Sequence, residues 1–377
     1  MGAAVTPITD EPVAGTDTIA ATVPTACRDR APAMQILQRS PRSSLIRLPI
    51  ASFTVVMAAG IISVAASDAS QVELAIVLRW VAIVMLGVLV SLHAARLLLH
   101  PRANANETGH PETVFDAFSL VAAVSVTVVA QAPQLAGWSL AVIWGGAFLL
   151  WLTIVAMVLR ALFRHRDSGM VHFASGRWLL AVVSIESIAV FGTSVFAATH
   201  SAIASVGTLI AWALGLVAYP VVALVIALRL HRRGWQAMDL SPDHWILMGA
   251  LAICTLAATD LATSPAGDLI RNIHGGVADI AWVTWSGASA LYVLLAAATS
   301  RRWIVWSAAR QPDVRWWASV FPLGMYSACT FGLFHVSSLG AQRVLALATF
   351  WPALGAGCLA GWMSVRTIAR SMKPVHT

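Results

Sequence analysis

Ten long apolar runs divide this sequence, and each is about the length of a membrane-spanning helix. They are, approximately, residues 48–66, 74–92, 115–131, 138–159, 177–196, 204–229, 244–262, 277–299, 316–334 and 343–364. Hydrophobic residues make up 58% of the 377-residue chain and charged residues only 11%, more apolar surface than one soluble core can bury. Because no run alternates apolar and polar residues as barrel strands do, we predict an all-α integral membrane protein with ten transmembrane helices.

The basic residues predict how these spans are oriented. Of the 24 Lys and Arg residues, 21 lie in the two tails or in the loops after even-numbered spans, and 2 lie in the other loops. The positive-inside bias therefore predicts cytoplasmic N and C termini and a multi-pass protein of the plasma (inner) membrane. The formal charge of +7 does not indicate nucleic acid as a partner, because the Arg residues are scattered and form no basic patch interleaved with aromatics.

The chain divides into three predicted parts. Residues 1–47 are rich in Pro, Thr, Ala, Ser and Arg and lack the apolar segment of a signal peptide, so we predict a disordered cytoplasmic tail. Residues 48–365 form the ten-helix transmembrane transporter domain, in contact with the lipid bilayer. Residues 366–377 form a short cytoplasmic tail.

A weaker regularity pairs the spans. The odd-numbered spans begin at nearly regular intervals, and most open on an aromatic residue followed by small and β-branched residues. The even-numbered spans are uniformly apolar instead. This pattern predicts five helical hairpins around a central pore, each with one protein-facing and one lipid-facing helix. Small residues in the odd helices permit close packing or a narrow passage, and ordinary helix packing stays open as the alternative.

Four stretches of the odd spans carry a family resemblance: FTVVMAAGIISVA at 53–65, GRWLLAVVSIESIAVFG at 176–192, DHWILMGALAICTLA at 243–257 and WWASVFPLGMYSAC at 316–329. Together they resemble the tellurite-resistance/dicarboxylate transporter family. That family includes the bacterial tellurite-resistance protein, the yeast malate permease, the fungal sulfite pump and the plant slow-type guard-cell anion channel. The resemblance covers roughly residues 48–365. It implies a quasi-fivefold bundle whose odd helices line an anion pathway, and a homotrimer with one pore in each protomer.

The resemblance also implies an aromatic plug on the ninth helix, and the residue that matches it here is Phe321. Pro322 follows directly, and a helix proline disfavours α geometry at the residue before it. A kink there would hold the ring of Phe321 across a narrow lumen, as in hydrophobic gates. The alternative is a Phe-Pro kink packed in a helix interface. The further candidate pore residues are Phe53, Gly60, Gly249 and Gly324.

Glu186 is the one carboxylate predicted deep within a span. A charge at membrane depth costs about 2.5–3.5 kcal/mol and normally faces a cavity or a partner. Members of the family often have a neutral residue here, and a charged Glu186 would repel a permeant anion. Our hypothesis is that Glu186 is protonated at rest and that proton uptake is coupled to anion movement. The alternative is a neutral carboxylic acid hydrogen-bonded to Ser184, Ser187 or a neighbouring helix.

The remaining chemistry-bearing residues do not predict catalysis. The 11 His residues lie mostly in loops, with no His-x-x-x-His or Cys-x-x-Cys pair, so we predict no metal, no cofactor and no enzyme activity. His335 and His200 follow odd spans and are candidate outer-mouth contacts, with plain loop residues as the alternative. The predicted function is transport of small inorganic or carboxylate anions. A proton-coupled C4-dicarboxylate (malate-type) carrier and a sulfite or tellurite exporter are the alternatives.

Overall fold

A computed structural model of the chain describes residues 49–99, 111–164, 175–233, 242–264, 268–306 and 316–372. Within these ranges an α-helix occupies each of the ten predicted spans, so the predicted all-α membrane fold is confirmed. The helices are α1 (Phe53–Asp68), α2 (Val72–Leu99), α3 (Phe118–Val129), α4 (Gly137–Arg164), α5 (Leu180–Thr199), α6 (Ala202–Arg233), α7 (Trp245–Thr263), α8 (Asp268–Trp306), α9 (Trp317–Ser337) and α10 (Gly340–Met372). The predicted tail at 1–47 lies outside the described residues. The predicted tail at 366–377 begins as a continuation of α10.

Eight of the described helices are long and apolar enough to cross a membrane by themselves. The other two are α3, which has only 12 residues and follows a short helix at Pro111–Asp116, and α9, which contains Ser, Thr, Gly and His. Most residues of both helices are buried by other helices. Because protein rather than lipid surrounds them, they tolerate short length and polar side chains.

Burial separates the helices into an inner and an outer set. In α1, α5 and α7, between 72% and 83% of the membrane-span residues are buried, against 17% to 28% in the even-numbered helices. The even-numbered helices expose large apolar side chains such as Trp80, Val142 and Leu224. This division agrees with the hairpins predicted from the sequence, because lipid solvates the outer apolar faces.

The inner helices form a closed ring. Helices α1, α3, α5, α7 and α9 each pack against the next one, and α9 packs against α1. Each even-numbered helix lies over the groove between two ring helices; α4, for example, packs on α3 and α5, and α10 packs on α9 and α1. We call the five odd-numbered helices the five-helix ring.

The two ends of the ring differ in structure. At the inner end, where the ring helices begin, a 3₁₀ turn precedes α1, α5 and α7. At the outer end, Ser70, His200 and Ser338 have positive φ values of 62°, 52° and 58° in the turns that follow α1, α5 and α9. A left-handed residue at this position ends a helix and reverses the chain within two or three residues. The charge distribution predicts that the inner end faces the cytoplasm.

Candidate functional site

A cavity of about 200 Å³ lies in the outer half of the five-helix ring, and we call it the outer vestibule. All five ring helices line it, through Ile61, Val64, Asp68, Val126, Val129, Val190, Ile253, Leu256, Asp260, Met325, Gly332 and His335. Its walls are mostly apolar. The titratable groups at its surface are two carboxylates and one imidazole.

Phe321 lies on the side of α9 that borders the outer vestibule. Met325, Gly332 and His335 line the cavity at helical spacing, and Phe321 precedes Met325 by four residues. Residues four apart share a helix face, so Phe321 is about 6 Å closer to the inner end on the same face. Its side chain is only 2% exposed. Phe321 is thus buried one helical turn below the vestibule.

Pro322 forms part of the contact between α9 and α7. A Cβ atom added at Gly249 would lie 2.9 Å from the Cβ and Cγ atoms of Pro322. The proline ring therefore fills the space that a larger residue at position 249 would need. Helix α9 continues without interruption from Trp317 to Ser337 through this contact.

The other two candidate glycines also lie between neighbouring ring helices. A Cβ atom added at Gly60 of α1 would lie 2.9 Å from the Val126 side chain of α3. One added at Gly324 of α9 would lie 2.9 Å from the Ile62 side chain of α1. Small residues at such positions let helix backbones approach closely. Gly60, Gly249 and Gly324 thus set the spacing of three of the five ring contacts.

Phe53 lies at the inner end of α1 and faces α2. Its ring is 1% exposed, and its centroid lies 5.0 Å from the centroid of the His93 ring. It is not among the residues that line the outer vestibule. The structure thus places Phe53 where a hairpin partner packs on the ring, far along α1 from Asp68.

Glu186 is fully buried where α5, α6 and α7 meet. Its Cγ and Cδ atoms would lie 2.6 Å and 2.7 Å from a Cβ atom added at Gly215 of α6, and its carboxyl group interacts with the Cys254 thiol of α7. Neither carboxyl oxygen has an oxygen or nitrogen donor within hydrogen-bond distance in the described part of the chain. The Ser184 and Ser187 hydroxyls donate to carbonyls of their own helix instead.

An ion-pair cluster at the inner end joins three ring helices and was not predicted. Arg177, before α5, forms ion pairs with Asp116, before α3, at 3.1 Å and with Asp243, before α7, at 3.6 Å. The sequence does show a charged residue shortly before each of these three helices. It could not show that they converge, because they are separated by more than sixty residues each.

The sequence analysis also did not predict that the two vestibule carboxyl groups, those of Asp68 and Asp260, lie in the same cavity. Asp68 and Asp260 each lie in the last turn of an odd-numbered span, which is the signal that could have joined them. His335, one of the two candidate outer-mouth contacts, does line the vestibule, whereas His200 is not among the lining residues. Among the described residues, no group of three or more His, Cys, Asp or Glu side chains is arranged to hold a metal ion.

Comparison with known proteins gives one family match and two relatives. The sequence profile of a family described as voltage-dependent anion channel (SLAC1) matches residues 47–365, which is the predicted ten-helix domain. Uncharacterized membrane proteins of Mycobacterium tuberculosis strains CDC 1551 and H37Rv are each 30% identical to the chain over 115 residues. These matches cover 30% of this chain and 58% of each relative, so the chain spans little more than half the length of these relatives.

Proposed function

This chain belongs to the family of voltage-dependent anion channels, and from that membership we propose that it passes small anions across a membrane through the centre of its five-helix ring. The observation that carries the proposal is the outer vestibule, because all five ring helices contribute to it. A cavity shared by every member of a ring lies on the axis of that ring. An ion that enters it lies among all five ring helices.

Phe321 is the proposed gate of this path. Its ring is buried one turn below the vestibule, where it blocks passage toward the inner end. An apolar constriction excludes water, so an anion must lose hydration to pass until the ring moves aside. Close helix contacts at Gly60, Gly249 and Gly324 support this role, because they keep the ring narrow enough for one side chain to close. Pro322 anchors the gate-bearing turn of α9 against α7.

The basic residues at the inner end favour anions as the permeant species. Of the 24 Lys and Arg residues, 21 belong to the tails and loops on that side of the predicted topology. Their field raises the local concentration of anions at the inner mouth. In the ring, most hydroxyls donate to carbonyls of their own helix, as Ser187 and Thr193 do. None of these hydroxyls is among the residues that line the outer vestibule, whose wall is mostly apolar.

The decisive experiment is anion flux into liposomes that contain the wild-type protein or the Phe321→Ala variant, with chloride, nitrate, sulfite and malate. The truncation is expected to raise the flux of the permeant anions about tenfold or more, because it removes the apolar barrier. Phe191→Ala is the matched control. Phe191 is a fully buried ring-helix residue that packs in a separate cluster with Leu140, Val195 and Phe196, outside the vestibule.

Both truncations leave a cavity in a helical core, so a general loss of packing would affect both variants. Higher flux in Phe321→Ala alone supports the gate. If Phe321→Ala raises the flux of none of the four anions, Phe321 is not the gate. If no anion crosses in the wild type or in the variant, the proposed function itself is contradicted.

A proton-coupled carrier of C4-dicarboxylates, or an exporter of sulfite or tellurite, is the second candidate. The observation that favours it is Glu186, a buried carboxyl group without an oxygen or nitrogen donor among the described residues. A group in such a place can bind and release a proton as α6 and α7 shift around it. The pH dependence of transport distinguishes this carrier from a passive channel.

We also propose that the protein acts as a homotrimer in the plasma membrane, as the family resemblance implies. The outer faces of the even-numbered helices support this assembly, because they expose apolar side chains such as Trp80, Leu149 and Trp362 to lipid or to a second copy. Native mass spectrometry of the protein released from detergent measures the number of chains.

A further inference from the structure

One basic residue of the chain lies within a membrane span. Of the 24 Lys and Arg residues, 21 and 2 belong to the tails and loops of the two sides, and the remaining one is Arg79 in the second predicted span. It lies in α2, where only 17% of the span residues are buried by protein. A cation at such a position normally pairs with an anion, because hydrocarbon does not solvate a charge.

The described part of the chain supplies no anion to Arg79. The guanidinium group forms no ion pair or hydrogen bond there, and its Nε atom is enclosed without a partner. Glu73 precedes it by six residues on α2 and so lies on a different face of the helix. Asp68 of α1 lines the outer vestibule instead. Arg79 itself is not among the vestibule residues, so an anion held in that cavity is not its partner.

The geometry of α2 directs Arg79 toward the outer surface of the membrane. Side chains of an α-helix tilt toward its N-terminus, and the N-terminus of α2 is at the outer end of the ring. The 28 residues of α2 extend over about 42 Å, whereas the hydrocarbon core of a bilayer is about 30 Å thick. The Cα atom of Arg79 lies about 10 Å from the start of the helix, so it is close to the edge of the hydrocarbon. Its long side chain then reaches the level of the lipid headgroups.

The neighbours of Arg79 place it at the border between protein and lipid. Ala75 and Ala82, within one turn on either side, are buried, and the Ala75 carbonyl accepts a hydrogen bond of 2.9 Å from Ser63 of α1. Trp80, the next residue, is 60% exposed. Exposed Trp side chains of membrane proteins concentrate at the headgroup level. Arg79 thus lies along the edge of the α1–α2 contact, beside an apolar surface that faces lipid.

We propose that Arg79 binds the phosphate group of a phospholipid in the outer leaflet, and that the acyl chains of this lipid lie along the apolar face of α2. The phosphodiester supplies the negative charge that the described residues do not. A guanidinium group donates two parallel hydrogen bonds to a phosphate, which is a stronger arrangement than a single contact. The acyl chains hold this anion at the depth that the Arg79 side chain reaches. The inference concerns the outer layer of helices and does not depend on the proposed anion path.

Thermal unfolding of the full chain in detergent, with increasing amounts of added dioleoylphosphatidylglycerol, tests the proposal. The lipid is expected to raise the unfolding midpoint of the wild type, and the titration gives its apparent affinity. Arg79→Gln is expected to lower this affinity about tenfold, because the amide has no charge to pair with the phosphate. Arg343→Gln is the matched control. Arg343 is exposed in the first turn of α10, at the same end of the molecule.

Two further probes separate the phosphate from the acyl chains. Dioleoylglycerol has the same chains without a phosphate, and glycerol phosphate has the phosphate without chains. The wild type and Arg79→Gln are expected to respond alike to each of these probes, because the proposed site requires both parts of one molecule. A difference between the two proteins that appears with phosphatidylglycerol alone supports the proposal.

Equal affinity of phosphatidylglycerol for the wild type and Arg79→Gln overturns the inference. An equal loss in Arg343→Gln also overturns it, because that result indicates a general effect of surface charge. If glycerol phosphate stabilises the wild type as much as the lipid does, Arg79 binds a soluble anion instead. If native mass spectrometry shows fewer associated chains in Arg79→Gln while the lipid affinity is unchanged, Arg79 contacts a second copy. Should Arg79→Gln fail to fold, Arg79→Lys is expected to lose about threefold in affinity, since it lacks the two parallel donors, and an unchanged affinity there overturns the inference.

Discussion

The environment of Glu186 shows how much the position of a residue in the chain leaves open. A charge at the centre of a span costs about 2.5–3.5 kcal/mol, so the sequence already indicated an unusual environment. The structure places the carboxyl group against Gly215 and Cys254, between α5 and its neighbours. Glu186 is not among the vestibule residues. Any coupling to transport must therefore act through the contact of α5 with α6 and α7.

Glu186→Gln distinguishes a proton-coupled carrier from a passive channel. If Glu186 exchanges its proton during transport, wild-type flux rises when the side from which the anion enters is acidified, and the amide abolishes this rise because it cannot release a proton. Reconstituted flux between about pH 4 and pH 8 measures the profile, a range that includes the ordinary pKa values of Glu and His side chains. Glu73→Gln, the same change at an exposed residue of α2, serves as the control. An unchanged profile in Glu186→Gln would remove proton coupling from the proposal.

At the scale of elements, the ring depends on a few positions where one helix meets the backbone of the next. Gly249 of α7 packs against the ring of Pro322 in α9. Helix α9 also carries Phe321, the proposed gate. Not every helical glycine lies in such a contact: a Cβ atom added at Gly145 of α4 would meet nothing within 4 Å. The space around Gly249 therefore requires glycine, whereas the space around Gly145 admits a larger residue.

Gly249→Ala is expected to destabilise the protein by about 1–3 kcal/mol, because the methyl group overlaps Pro322 and the two helices must separate. Gly145→Ala is expected to be neutral or to stabilise by up to about 1 kcal/mol, since alanine favours an unhindered helix. Thermal unfolding of both variants in the same detergent measures the difference. Equal midpoints for the two variants would show that the α7–α9 contact does not depend on Gly249.

For the whole molecule, the charge bias predicts which end of the ring faces the cytoplasm. The ring is closed and the outer layer is apolar around its circumference, so neither feature sets the orientation. Orientation depends on the loops, where 21 of the 24 basic residues belong to the inner side.

Single cysteines at the two ends test the orientation directly. In a Cys27→Ser/Cys358→Ser background, Leu339→Cys in the exposed α9–α10 turn is expected to react with a membrane-impermeant maleimide added to intact cells. His231→Cys, exposed near the end of α6, is expected to react only after the membrane is permeabilised. The two remaining cysteines, Cys254 and Cys329, are buried. The reverse labelling pattern would invert the molecule in the membrane and contradict the predicted cytoplasmic termini.

The sequence by itself determined the class of fold, the ten helices and their division into an inner and an outer set. The length of an apolar run and the charge of a loop are local properties, and they determine directly which segments enter the lipid and which stay in water. Helix α9 is the instructive case: its polar residues weaken the membrane signal, yet they are tolerated because other helices bury them. Only the tertiary structure decided three other features. It brings Asp68 and Asp260 into one cavity, it pairs Arg177 with two aspartates, and it determines the side of α5 on which Glu186 lies. Each of these features depends on how helices that are distant in sequence are rotated about their axes. Side-chain packing across the ring sets that rotation, and the sequence of a single span does not determine it.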